Sequence, residues 1–353
     1  MKKRAYIYPH LEELRVGRRF RVRPNETIIK DFGQHVWRTG SPHTWKWITT
    51  TQHPRGEAPI IVAKISIPKR LRNGRETRAP CSICSVRAPK FDEGFLVFCS
   101  DGYLRLIGHE CGHDHFNEDS YAAALKEHDD EIAEAAARSM LDERLPDLAR
   151  TLIEARSLFR DILGVLDFQE RAVASITKRA VAAMRRSRIG DQLTVDIEAD
   201  AADERGRKVI EKRVVSTAAG LDALSPPSHL LGELNLAIAE AAQVWIVHRD
   251  EIAERLASMT RHEVFAASKA VRRLDSLIET AREVRTNMGN LFNTEGLAAL
   301  SAWGRHGHCP TPFWIEVVGT RVYLKVGLRP RDWQRGFFLT LPDGRLAQPV
   351  IVS

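Results

Sequence analysis

The sequence predicts an α+β chain, with strands at its two ends and helices between them. Residues 1–77 contain short β-like runs, RFRVRP, TIIKDF, TWKWITT and APIIVAKISI, separated by Pro, Gly and Asn. After Ser120 the texture turns to Ala, Glu, Arg and Leu and stays so to about residue 303. From Pro310 strand-like runs return. A length of 353 residues fits about two or three folded units, and 43% hydrophobic with 28% charged residues is an ordinary globular balance. The expected organisation is a basic β-rich module over 1–77, a Cys- and His-bearing segment over 78–117, a helical bundle over 118–303 and a β-rich segment over 304–353.

Within 121–188, Leu125, Ile132, Leu141, Leu145, Leu148, Leu152, Phe159, Ile162 and Leu166 fall at steps that suit one apolar helical face, with Pro146 as a kink or restart. Over 189–216, QLTVDIEA and KVIEKRVVS alternate around an acidic, Gly-containing stretch, which suits a hairpin inserted in the bundle. Ser228 is a candidate N-cap for a helix from His229 to about Met259. A second helix from Arg261 carries Val264, Val271 and Ile278 seven apart, and Leu274 and Ala281 likewise, as a bundle seam would. FWIEVV and RVYLKVGL flank Gly319 and Thr320 as a hairpin; GFFLTL and RLAQPVIVS flank Pro342, Asp343 and Gly344 as another. This β-rich tail either pairs with the N-terminal module, making the helices an insertion, or stands by itself.

The most apolar stretch, 230–247, is broken by Glu233 and Glu240, and no run reaches the roughly 18 apolar residues of a membrane span. The basic start is followed by no apolar run, so a cytoplasmic chain with no membrane partner is expected. The net charge of +7 is unevenly spread. Residues 1–90 hold 20 Lys plus Arg and 6 Asp plus Glu, a balance of +14, which leaves −7 for the remainder. Such asymmetry points to a polyanion partner for one part of the chain only.

Four of the five cysteines lie between Cys81 and Cys111, and the fifth is Cys309. In a reducing compartment that clustering suggests a metal rather than disulfides. Cys81 and Cys84 have the spacing at which a tight turn brings two thiolates to one tetrahedral ion. FLVFCS, Asp101-Gly102 and YLRLIG read as a hairpin, and Cys111 and His115 are four apart, on one helical face. In this order of knuckle, hairpin and helix, the segment resembles the treble-clef zinc fingers. The resemblance covers 78–117 and implies zinc held by Cys81, Cys84 and Cys111. His115 is the choice for fourth ligand on its spacing, with His109 and His113 open beside it. Cys99, near the hairpin tip, is about 20 Å of strand from the helix start and is expected to be a buried thiol instead.

His109-Glu110-Cys111-Gly112-His113 also fits H-E-x-x-H and so is similar to the zinc metallopeptidases, in which two histidines bind zinc and the Glu is general base. Against that reading, the strand-like YLRLI puts the motif at a helix start, Cys111 places a thiolate inside it, and the Cys81-Cys84 knuckle is left without partners. A nuclease of the His-Asn-His type needs a histidine on the first hairpin strand, and FLVFCS has none. No Walker loop, dinucleotide fingerprint or Gly-x-Ser-x-Gly elbow occurs.

Trp37, Trp45 and Trp47 stand beside Arg38, His43 and Lys46, a pattern of either stacking platforms or core. The alternation of Trp45 and Trp47 favours core. Lys69, Arg70, Arg72, Arg75, Arg78 and Arg87 lead into and across the knuckle, as either a solvated linker or a phosphate-contacting loop. The expected function is therefore non-enzymatic. A zinc-stabilised protein engages nucleic acid or an acidic partner, through Arg38, Lys46, Lys69, Arg70, Arg72, Arg75 and Arg78. Its helices serve as scaffold and as a surface for self-association or a protein partner. The alternatives are the H-E-x-x-H peptidase and a structural scaffold that binds no nucleic acid.

Overall fold

The computed structural model describes residues 15–54, 60–72, 78–116, 118–175, 178–202, 208–225, 227, 229–245, 249–309, 312–326 and 337–340. The chain mixes helix and strand and divides into two compact units, Met1–Ala136 and Ala137–Ser353.

In the first unit, α1 (Glu26–Thr39) occupies the TIIKDF run that had read as strand. Ile28, Phe32 and Val36 recur every four residues rather than every two, and Phe32 and Val36 are buried. Asn25 caps the start by accepting from the Ile28 N–H, and Gly40, in the left-handed region, ends the helix. RFRVRP forms no strand, and TWKWITT contributes only a bridge between Ile48 and Leu104. APIIVAKISI does supply a strand, β1 (Ile60–Ser66). The short pair β2 (Ala79–Cys81) and β3 (Ser85–Phe91) follows, then β4 (Glu93–Phe98) and β5 (Leu104–Gly108). β1, β4 and β5 make one antiparallel sheet in that order. The first 77 residues and the Cys-bearing segment therefore share a sheet rather than folding separately, as a 40-residue piece could hardly bury a core alone.

Both faces of this sheet are covered, which is why FLVF is continuously apolar. Leu96, Leu104 and Leu106 face Phe32, Trp45 and Ile48, while Phe95, Val97 and Ile107 face Cys81, Phe116 and Tyr121. The second layer comes from α2 (His109–His115) and the start of α3 (Glu118–Arg144). Gly112 of α2 lies so close to the Tyr121 ring that an added Cβ would sit 2.5 Å from its hydroxyl.

His128 on α3 is only 5% exposed, and neither ring nitrogen has a hydrogen-bond partner among the described residues. Burial lowers its pKa from the ordinary 6.5, against the pull of Asp129 and Glu131. The unfolded chain then takes up the proton first, so stability is lost as pH falls below about 6.5. His128→Leu should raise stability by about 1 kcal/mol at pH 7 and by more at pH 5, read from urea midpoints.

In the second unit, α3 continues into Leu145–Asp147, a short tighter turn at Pro146, and then into α4 (Leu148–Ser175) and α5 (Lys178–Arg186). Leu141, Leu145, Leu148, Leu152 and Ile162 are buried as the periodicity predicts; Ile132, near the junction of the units, is 53% exposed. The expected hairpin is present as β7 (Gln192–Ala202) and β8 (Lys208–Thr217), with the two-residue β6 (Arg188–Ile189) on its edge. α6 (Leu230–Val244) stops short of Met259, and α7 (Ile252–Ser258) is a separate piece; Ser228 lies outside the described residues. α8 (Arg261–Leu291) starts in a reciprocal cap between Thr260 and Glu263 and buries all five heptad residues.

α9 (Thr294–Gly304) joins the helices to the strands: Trp303 is fully buried and donates its indole N–H to the Thr194 carbonyl at 2.8 Å. β9 (Phe313–Val318) and β10 (Arg321–Val326) form the hairpin at Gly319 and Thr320. β11 (Phe337–Thr340) pairs with β10, and RLAQPVIVS lies outside the described residues. Among the described residues the C-terminal strands pair with one another and not with the N-terminal sheet.

Candidate metal centre and basic surface

The β2–β3 pairing closes at Cys81 and Ser85, which folds Ser82, Ile83 and Cys84 into a tight turn. Cys81 is fully buried at the end of β2, and Cys84 is exposed on the turn. The hairpin β4–β5 returns at Asp101 and Gly102, whose φ of 85° is one that glycine adopts freely. β5 then runs directly into α2, which brings Cys111 back to the turn. The Sγ atoms of Cys81, Cys84 and Cys111 all lie within 4.8 Å of one another, an arrangement that could hold a metal ion.

The donor set fits such an ion. Three thiolates about 2.3 Å from a tetrahedral zinc would stand roughly 3.8 Å apart, inside the observed spread. The Gly108 N–H donates to Cys81 Sγ at 3.5 Å, and Cys111 Sγ donates to Cys84 Sγ at 3.2 Å. Burial, followed by the hydrogen bond to Cys84, pushes the Cys111 thiol well up from its ordinary value; burial also raises Cys84, opposed by its bond to Cys111. Crowded thiols such as Cys84 and Cys111, which resist ionising, are the condition a cation reverses, because its charge displaces their protons.

His115 does not join this group; its ring stands 6.3 Å from that of His53 and 5.2 Å from Phe116. His113 is 62% exposed beside Asp114, and His109 stacks edge-on with Phe95 at 5.7 Å. His109 and Glu110 line the same depression as the three cysteines. The H-E-x-x-H pattern thus opens α2 at its first residue, and no histidine pair with a third ligand is gathered among the described residues. Cys99 is buried at the hairpin tip, apart from the triad, and Cys309 is buried in the second unit.

The proposed phosphate contacts fare unequally. Arg72 donates to the Ile67 carbonyl and pairs with Glu93 at 3.3 Å; Arg78 pairs with Asp92 at 3.4 Å. Arg70 stacks on Trp37, 4.1 Å from the ring centroid, and Trp37 is 63% exposed. Arg38 ends α1, Lys69 lies in the short turn before Arg72, and Arg75 is outside the described residues. Trp45 is core, donating to Asp31 at 3.0 Å, and Trp47 packs on it with ring centroids 5.0 Å apart. Lys46 lies 4.7 Å over the Trp47 ring. Sequence reasoning passed over Arg18, which lies over Trp47, and Arg15 and Arg19, which donate to the Lys46 and Asp101 carbonyls; RVGRRFRVR, five arginines around one Phe, was the available signal.

No helix among the described residues is long and apolar enough to cross a membrane. No protein-family model matches the chain, and neither does any curated protein or solved structure.

Proposed function

We propose that the chain is a non-enzymatic, zinc-stabilised protein whose basic first unit binds nucleic acid. The observation that carries this reading is the cysteine triad at the meeting of a β2–β3 turn, a β4–β5 hairpin and the start of α2, with Cys81 and Cys84 at the end of the segment of positive charge. That order supports a treble-clef finger, with zinc as the metal because thiolates in a tight tetrahedral set suit it best. Cys81, Cys84 and Cys111 supply thiolates. The fourth donor is His109, which lines the same depression as the three cysteines; His109→Ala should weaken metal retention, and His115→Ala should not. A closed shell of this kind contributes folding free energy and leaves no open position for catalysis.

Retention of the full chain on immobilised DNA or RNA tests the binding. It should fall steeply between 50 and 200 mM salt, and be lost after the metal is stripped with a chelator. Weak, salt-independent retention would favour the scaffold reading, and peptide hydrolysis abolished by Glu110→Gln would favour the peptidase.

A further inference from the structure

Much of the positive charge in the first unit is already answered within the fold. Arg23 is gripped by Glu131 at 2.6 Å, Lys64 by Asp129 at 2.8 Å, and Arg72 and Arg78 by Glu93 and Asp92. Four other cations form one contiguous strip and meet no carboxylate among the described residues. Arg15 donates to the Lys46 carbonyl at 2.7 Å, and Lys46 lies over Trp47. Arg18 lies 5.3 Å over Phe20 and 5.5 Å over Trp47. Arg19 donates to the Asp101 carbonyl at 3.0 Å, while the Asp101 carboxylate is engaged by Arg105. Carbonyls and aromatic faces orient these side chains without cancelling their charge.

The backbone under the strip is fixed as well. The Phe20 N–H donates to Gly102 O at 2.8 Å, the Thr50 N–H to Arg15 O at 2.9 Å, and the Gly17 N–H to Thr49 Oγ1 at 2.8 Å. Gly17 leaves no room for a side chain, since a Cβ would stand 2.4 Å from the Trp47 carbonyl oxygen. The arginines are therefore held at set positions on the hairpin tip and the Trp47 turn.

We infer that this strip of Arg15, Arg18, Arg19 and Lys46, rather than the carboxylate-paired Arg72 and Arg78, is the main contact surface, and that it reads the phosphate backbone of a nucleic acid duplex. The inference rests on the nucleic-acid reading above and narrows it. A protein partner would look for an apolar anchor at the centre of its interface. Here Phe20 and Trp45 are buried, Trp47 is roofed by cations and the exposed apolar side chain between the arginines is the small Val16, so the strip offers charge in forked, oriented form without a large aromatic anchor. That is the chemistry of sequence-independent phosphate contacts.

The test is fluorescence anisotropy of the full chain with a labelled 20-base-pair duplex across a salt series. Four phosphate contacts contribute a slope of about −3.6 in log affinity against log salt, or roughly a 100-fold fall from 50 to 200 mM. The combined change Arg15→Gln, Arg18→Gln, Arg19→Gln and Lys46→Gln should remove that share. The charge-matched change Arg23→Gln, Lys64→Gln, Arg72→Gln and Arg78→Gln should move the slope by less than about 1. If either quadruple variant loses its native near-ultraviolet dichroism, Arg18→Gln alone, with an expected shift of about 0.9, is set against Arg78→Gln alone. Equal slopes for the two sets would overturn the strip while leaving the nucleic-acid reading standing. Displacement of the duplex by polyglutamate at equal charge concentration would overturn the choice of ligand, and no binding by the unaltered chain would overturn both.

Discussion

Cys81→Ser should release the metal and leave the first unit without a stable fold. Cys81 is a ligand candidate and also fully buried, in the layer with Phe95, Val97, Ile107 and Tyr121. In small metal-organised folds the ion supplies on the order of 10–16 kcal/mol of apparent binding free energy, more than the whole stability of an ordinary domain. Its loss cannot be absorbed by a three-stranded sheet and one long-helix contact. Cys99→Ala provides the comparison, since Cys99 is equally buried at the hairpin tip but outside the triad. That variant should keep its metal and lose about 1–2 kcal/mol of packing. Metal content and thermal melting of both, measured side by side, separate a lost ligand from a lost core contact; equal melting and equal metal content would remove the metal from its structural role.

Asp101→Asn should cost about 2–4 kcal/mol, the second large effect expected, because it strands a buried guanidinium. Arg105 is 4% exposed, donates to both carboxylate oxygens of Asp101 at 2.8 and 2.7 Å, and reaches Thr51 Oγ1 at 3.0 Å. The lower end of the range applies if water reaches the site, since the Asp101 side chain is 34% exposed. The Arg105 guanidinium holds the Asp101 carboxyl below its ordinary 3.8. The sign follows: the pair's contribution is complete above that value and is lost as pH falls through the lower, folded-state value. Asp101→Asn combined with Arg105→Met should recover most of the loss, since a buried pair replaced whole by apolar groups is often neutral. A double variant as unstable as Asp101→Asn alone would mean that the pair fixes the hairpin tip in some further way.

The two kinds of legibility in this chain differ for physical reasons. The helices of the second unit were readable because their apolar periods are long: Val264, Val271 and Ile278, and Leu274 with Ala281, are all buried along α8. The β7–β8 and β9–β10 hairpins were readable because alternation and turn residues agree. α1 reads as strand because Ile28, Ile29 and Phe32 look β-prone one by one, while the four-residue step from Ile28 to Val36 and the caps at Asn25 and Gly40 mark a helix. The cysteine triad was legible from local spacing, two residues in a turn and a third opening a helix. The basic surface was not, because neutralisation is a tertiary property. Nothing in the order of residues says that Arg78 meets Asp92 while Arg18 lies over aromatic rings.

On the proposed reading, one ion bound by Cys81, Cys84 and Cys111 organises the first unit. X-ray absorption at the metal edge, with metal stoichiometry, on the full chain and on the variant carrying Cys81→Ser and Cys84→Ser, tests it most directly. The expected result is one zinc per chain, with three sulfur neighbours at about 2.3 Å and one nitrogen or oxygen donor, and no zinc in the double variant. A shell of histidine and oxygen donors without sulfur, or a double variant that keeps its full metal content, would contradict it.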